Sequence, residues 1–292
     1  MNNTEIKKER VVGKRLGKQL HLQLQKSGPL AIIVVKYYLK NIENVFFTLL
    51  FPVILLFLEG FAYKALAAAT PGMSEREIIA SLVNAMVIME VLGIGLSFLP
   101  PAIIDFKNSV LIKRIGATDL RPGFYILVNI LITFVMVIIA IFWTLLLAGL
   151  MFAWVKDSKT GEQFGWSIAF NNNTPLMMVF YLLTFFIATT IGLTFAAIFK
   201  TMPGLQASVT ILSNLSSFLL GIFIPIILLD QIEVLKILRW LIPFKYSMTP
   251  GIELWLTGKI TINWEFYVNI FVSLGLIGVF GTLAGVLTKW QQ

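Results

Sequence analysis

Between residue 45 and residue 287 the chain returns again and again to apolar runs of about 20 residues with almost no charge inside them, the length a helix needs to cross a hydrocarbon layer roughly 30 Å thick. No other feature limits the fold as much. A chain that is 58% hydrophobic and 13% charged, where a soluble domain carries roughly 25% charged residues, needs lipid around it. The runs predict an all-α membrane protein with six transmembrane helices, over residues 45–63, 78–104, 124–154, 175–199, 204–229 and 266–287. Pro52 inside the first span is tolerable where neighbouring helices satisfy the freed carbonyl.

Two further segments are apolar in a different way. Over 28–43, Leu30, Ile33, Val34, Tyr37 and Ile42 fall at helical spacing among Lys36, Lys40, Asn41 and Glu43, the pattern of an amphipathic helix lying on the membrane surface. Over 231–264 the apolar stretch from Ile232 to Ile242 is interrupted by Glu233, Lys236 and Arg239 and stopped by Pro243. That stretch is too short and too charged to span, and it reads as short helices dipping into the outer leaflet.

Charge sets the expected orientation. With the N-terminus inside, fifteen Lys and Arg fall on the cytoplasmic side and eight outside, so both termini are expected in the cytoplasm. Much of the +8 formal charge lies before residue 45, where nine Lys or Arg face three Glu, and residues 1–27 read as a loose basic arm, which points to anionic lipid. Nucleic acid is disfavoured, because no aromatic residue is interleaved with those charges before Tyr37. No apolar core suited to a signal peptide precedes Gly28.

Several chemistries are excluded by what the chain lacks. It has no cysteine, and its single histidine, His21, has no partner for a metal site. The stretch from Gly13 to Gln19 has three rather than four residues between its glycines, and Gln19 where a phosphate loop needs Ser or Thr for Mg²⁺. Any ATP and Mg²⁺ are therefore expected on another polypeptide, with no cofactor on this one. The spans offer no paired carboxylates and no nucleophile beside a base, so no enzyme is expected.

Glu90 is the one acidic residue these span boundaries place mid-membrane. A carboxylate there is costly and faces the protein interior or a wet cavity. Ser97 is expected two turns on along the same face, with Gly93 and Gly95 allowing close helix approach. Asn84, Asn129, Thr190 and Asn214 read as interhelical glue rather than ligands. A translocation path or subunit seam at Glu90, Ser97, Asn214 and Gly221 is the sharper reading, beside an interhelical hydrogen bond for Glu90. The connection 105–121 is charged, with Asp105, Lys107, Asn108, Lys113, Arg114 and Arg121 around an apolar ridge of Leu111, Ile112 and Ile115. Such a helix can dock into a groove on a soluble partner; the plainer reading is a positive-inside loop.

Three pieces together carry a resemblance: the amphipathic stretch with Phe51-Pro52 after it, Lys113-Arg114-Ile115-Gly116-Ala117-Thr118, and Gly221-Ile222-Phe223-Ile224-Pro225 followed by Ile242-Pro243-Phe244-Lys245-Tyr246. The chain resembles the permease subunit of ABC-2 type ABC transporters, in the drug-exporter branch, over nearly everything after residue 28, with Asp119 where the family usually has proline. That resemblance implies an ABC-2 type transmembrane domain over 28–292. Residues 28–43 would be its elbow helix, 105–121 would hold the helix that couples to the ATPase subunit, and 231–264 would be external re-entrant helices between spans five and six. It further implies a second copy or a homologous permease subunit, and ATP-driven multidrug-type export of amphiphilic cargo across a prokaryotic plasma membrane. The competing reading from the residues is an ion- or proton-coupled transporter using Glu90.

Overall fold

The computed structural model describes residues 28–40, 42–69, 74–108, 122–223, 229 and 232–288. The basic arm, the region 109–121 with Leu111, Ile112, Lys113, Arg114 and Arg121, and residues 224–228 lie outside the described residues. We number the helices α1 (28–40), α2 (Phe51–Ala69), α3 (Glu75–Gly93), α4 (Leu99–Asn108), α5 (Pro122–Phe152), α6 (Thr174–Ile198), α7 (Met202–Leu219), α8 (Glu233–Leu238), α9 (Lys245–Thr257) and α10 (Trp264–Leu287). Among the described residues the β-structure is one isolated bridge, Lys156 with Gln163.

Five helical stretches are long and apolar enough to cross a membrane: Phe51–Ala69, Glu75–Asp105, Gly123–Phe152, Thr174–Ile198 and Trp264–Leu287. The protein is thus an all-helical, multi-pass membrane protein. The expected fifth run, 204–229, contains an 18-residue helix, α7, whose Gln206, Asn214 and serines keep it outside that group.

The core is built around Glu75–Asp105, most of whose residues are buried. This long element touches α2, α5, α6, α7 and α9, while α10 packs on α6 and α9. Close approach depends on Gly95, where a Cβ would meet the Ala188 Cβ at 2.6 Å. Gly93, expected to share that task, has open space beside it.

The long element does not stop at Pro100 and Pro101, where proline is expected to end a helix. A proline lacks its N–H and its ring presses on the carbonyl four residues back. Here a π turn, Ile94–Phe98, widens the helix just before the pair, and the helix then continues to Asn108. The same device precedes Pro52, where Phe46–Leu50 is a π turn and the Phe51 N–H bonds Phe46 O. A carbonyl of that turn, Leu49 O, accepts from Trp143 Nε1 on α5 at 3.2 Å, so a neighbouring helix reaches this part of the backbone.

The two ends of the bundle differ. At the end carrying the 156–174 connection, here the loop end, Glu75 is fully buried in the first turn of α3. It pairs with Lys64 of α2 at 3.3 Å and accepts from the Ser158 N–H through both oxygens, at 3.2 and 3.1 Å. Its charge also complements the helix N-terminus. At the opposite end α1 lies against the bundle through Leu30, Val34 and Tyr38, all buried. Ile33 and Ile42, expected on that apolar face, are 56% and 79% exposed.

Candidate functional site

Three places carry the polar groups on which transport would depend. The first is the Asp105 end. Tyr38 is wholly buried, stacks on Phe98 with ring centroids 5.9 Å apart, and donates to Asn129 Oδ1 of α5 at 3.2 Å. Tyr37, its neighbour, donates to Asp105 Oδ2 at 2.6 Å. Burial first, and the Asp105 carboxylate second, hold the Tyr37 hydroxyl protonated well above the usual phenol range. The surface helix is therefore fastened to the last turns of the helix that leads into 109–121. Lys107 and Asn108 belong to the final turn of α4.

The second is the interior carboxylate. Glu90 is 1% exposed and one of its oxygens accepts from Thr144 of α5, itself fully buried. The other oxygen, Oε2, is buried with no hydrogen-bond partner among the described residues. Ser97 does not share this environment: it lies with Met89, Gly93 and Pro101 on a partly exposed stripe. The π turn between Glu90 and Ser97 is the physical reason, since an extra residue in the turn breaks the 3.6-residue register that would align them.

Sequence reasoning missed a second carboxylate. With its first span ending at residue 63, Glu59 fell near a boundary; α2 runs on to Ala69 and places Glu59 at its middle, with Oε2 buried and unpartnered among the described residues. The signal was present in Ala65 to Ala69, a helix-favouring run. Several other polar groups at depth are paired, whereas Thr189 Oγ1, Asn269 Oδ1 and Ser273 Oγ are buried without a hydrogen-bond partner among the described residues. Tyr181 donates to Asn84 at 2.6 Å and Thr184 meets Ser247 at 2.7 Å, while Thr190 bonds back to its own helix.

The third place is the outer face of α7. Gln206, Thr210 and Asn214 recur every fourth residue and all are exposed. Asn214 is thus not a packed interhelical contact within this chain. Gly221 lies just past the helix, buried, with φ of 87°, a backbone state that glycine adopts at no steric cost. The turn it makes brings Phe223 O to the Tyr63 hydroxyl at 2.7 Å.

At the loop end an open polar cleft of about 430 Å³ runs between Arg76, Glu77, Asn172 and Thr257. Trp255 points inward and donates to Ala80 O at 2.8 Å. Trp166, Trp240 and Trp264 remain exposed. Among the described residues no cluster of His, Cys, Asp or Glu is suited to a metal.

Comparison with curated proteins finds no match. The family model for the ABC-2 family transporter protein matches residues 62–288, a stretch that begins beside Tyr63, takes in the interior carboxylate Glu90 and the polar face of α7, and ends with α10. Such permeases work with an ABC ATPase subunit and are usually non-catalytic themselves, and by a match over most of its length this chain belongs to the ABC-2 family of transporter proteins.

Proposed function

We propose that the chain is the transmembrane permease subunit of an ATP-driven exporter of amphiphilic cargo, with ATP and Mg²⁺ handled by a separate ATPase subunit. Beyond family membership, the observation that carries this reading is the exposed polar face of α7. Uncovered amide and hydroxyl groups in hydrocarbon cost a few kcal/mol each, so Gln206, Thr210 and Asn214 belong against a second permease subunit or a wet path. On this reading α7 makes the sixth crossing. Its 18 residues rise about 27 Å, close to the thickness of the hydrocarbon layer.

Residues 28–43 then serve as the elbow helix, 231–264 as external re-entrant helices, and both termini lie in the cytoplasm. The segment 105–121 rests on the ATPase subunit through Asp105, Lys107, Asn108, Leu111, Ile112, Lys113, Arg114 and Arg121. The test is co-purification with the ATPase: reversing the charge at Lys113 and Arg114 together is expected to release it, and intact co-purification overturns the coupling role. Purified alone, the chain is expected to hydrolyse no ATP. Accessibility of a tag after Gln292 checks the number of crossings.

A second reading, a proton-coupled transporter, is favoured by one observation, the unpartnered buried oxygen of Glu90. Cargo movement by this chain alone in liposomes, driven by a pH gradient and lost in Glu90→Gln, would select it.

A further inference from the structure

The segment between α7 and α10 holds a lysine level with the middle of a spanning helix. α9 runs antiparallel to α6: Gly258 O accepts from Asn173 Nδ2 at 3.0 Å at the loop end, Gly251 packs on Phe180, and Ser247 Oγ meets Thr184 Oγ1 at 2.7 Å. Thr184 stands ten residues, about 15 Å, along the 25-residue helix α6. Lys245, the first residue of α9, therefore lies level with the middle of α6. It is 5% exposed, and Arg239, at the turn before it, 8%.

The Lys245 ammonium sits 3.0 Å from the centroid of the Trp240 ring, which is itself 47% exposed. The Tyr246 hydroxyl donates to Trp240 O at 2.8 Å and closes the turn. Among the described residues the ammonium has no hydrogen-bond acceptor and no carboxylate within ion-pair distance. The acid whose field reaches it is Glu265 at the start of α10, exposed, and Arg239 opposes it with a like charge. Intramembrane cations are rare and mark substrate pathways, and a largely buried cation without a close counter-charge is costly. A cation–π contact returns only part of that. A ligand's acidic group would supply the remainder, and the exposed Ile237, Trp240 and Leu241 beside the cations suit an apolar chain.

We propose that Lys245, with Arg239 beside it, recognises the acidic headgroup, phosphate or carboxylate, of an amphiphile whose apolar part lies along Trp240 and Leu241. Where that amphiphile is cargo, the inference rests on the exporter reading and names its substrate class.

The test offers the full chain, purified in neutral detergent, phosphatidic acid and phosphatidylcholine of matched acyl chains, with retention read by native mass spectrometry. The wild-type chain is expected to retain phosphatidic acid about tenfold better, the worth of one charge-assisted hydrogen bond. Lys245→Gln is expected to abolish that preference, Lys245→Arg to keep it, and Glu265→Gln, at an exposed position, to raise it. Equal retention of the two lipids by the wild-type chain overturns the inference, as does a preference unchanged in Lys245→Gln or in Glu265→Gln. Displacement by inorganic phosphate as readily as by an alkyl phosphate overturns the requirement for an amphiphile. In proteoliposomes with the ATPase subunit, ATP-dependent movement of phosphatidic acid marks cargo, and retention without movement marks a resident lipid at the same site. If no amphiphile moves with ATP while the preference persists, the exporter reading fails and this inference stands.

Discussion

Two helices of this bundle expose a face with the same four-residue spacing and opposite chemistry. On α5 the exposed large side chains are Leu127, Leu131, Val135, Ile139, Phe142, Trp143, Leu146 and Leu150, and their one polar atom, Trp143 Nε1, already donates to Leu49 O. On α7 they are Gln206, Thr210 and Asn214 beside Ile211, Leu215 and Phe218. Exposure alone does not distinguish them. Lipid tails satisfy the α5 face completely and leave the α7 amides and hydroxyl without partners, so the two helices face different surroundings in the membrane.

The hardest blow to this contrast is an aspartate on each face. Asp costs about 2.5–3.5 kcal/mol at the centre of a lipid-facing span. Ile139→Asp should therefore empty the membrane fraction of folded chain, whereas Thr210→Asp should leave the yield near wild type; equal losses would break the distinction. Next in size is the buried side of α5. Thr144→Val removes the donor to Glu90 and leaves both carboxylate oxygens unsatisfied, a cost of about 1–3 kcal/mol that should appear as a lower midpoint of thermal unfolding in detergent. Asn129→Leu deletes the acceptor of Tyr38, worth about 1 kcal/mol, and hydrogen exchange should then quicken over 28–40 specifically.

The smallest expected effect sharpens the contrast most. Gln206→Leu and Asn214→Leu touch exposed positions, where substitutions stay within about 0.5 kcal/mol. The unfolding midpoint of the isolated chain should hold while cargo movement with the ATPase falls. Because the chain contains no cysteine, Thr210→Cys and Leu131→Cys can be compared without background. A cross-linked dimer, or reaction with a polar thiol reagent, is expected from the first alone.

The spans were legible because hydrocarbon thickness fixes both their length and their composition. What escaped was set by contacts between elements distant in sequence. Pro100 and Pro101 give no hint of how a helix gets past them, and only a π turn, which leaves no composition signature, carries it on. The first span was placed six residues short of Ala69, which hid Glu59. On α1 the apolar spacing points to Tyr37 as the inward tyrosine; Tyr38 turns inward instead because Asn129 and Phe98 receive it, and Tyr37 is left for Asp105. The face of α7 was half legible: Asn214 was singled out, but its exposure follows from how α4 and α6 cover the opposite side.

The anchoring of Glu75 has a mechanical consequence. One buried carboxylate ties α2, α3 and the 156–165 loop together, beside Lys64–Ser158 and Lys159–Ala67 hydrogen bonds, so these pieces are held most firmly at the loop end. Glu75–Asp105 spans 31 residues, a lever about 45 Å long. A tilt of about 1° at this pivot sweeps Asp105 through roughly 0.8 Å on the same geometry, and the Tyr37 hydroxyl would carry α1 along with it.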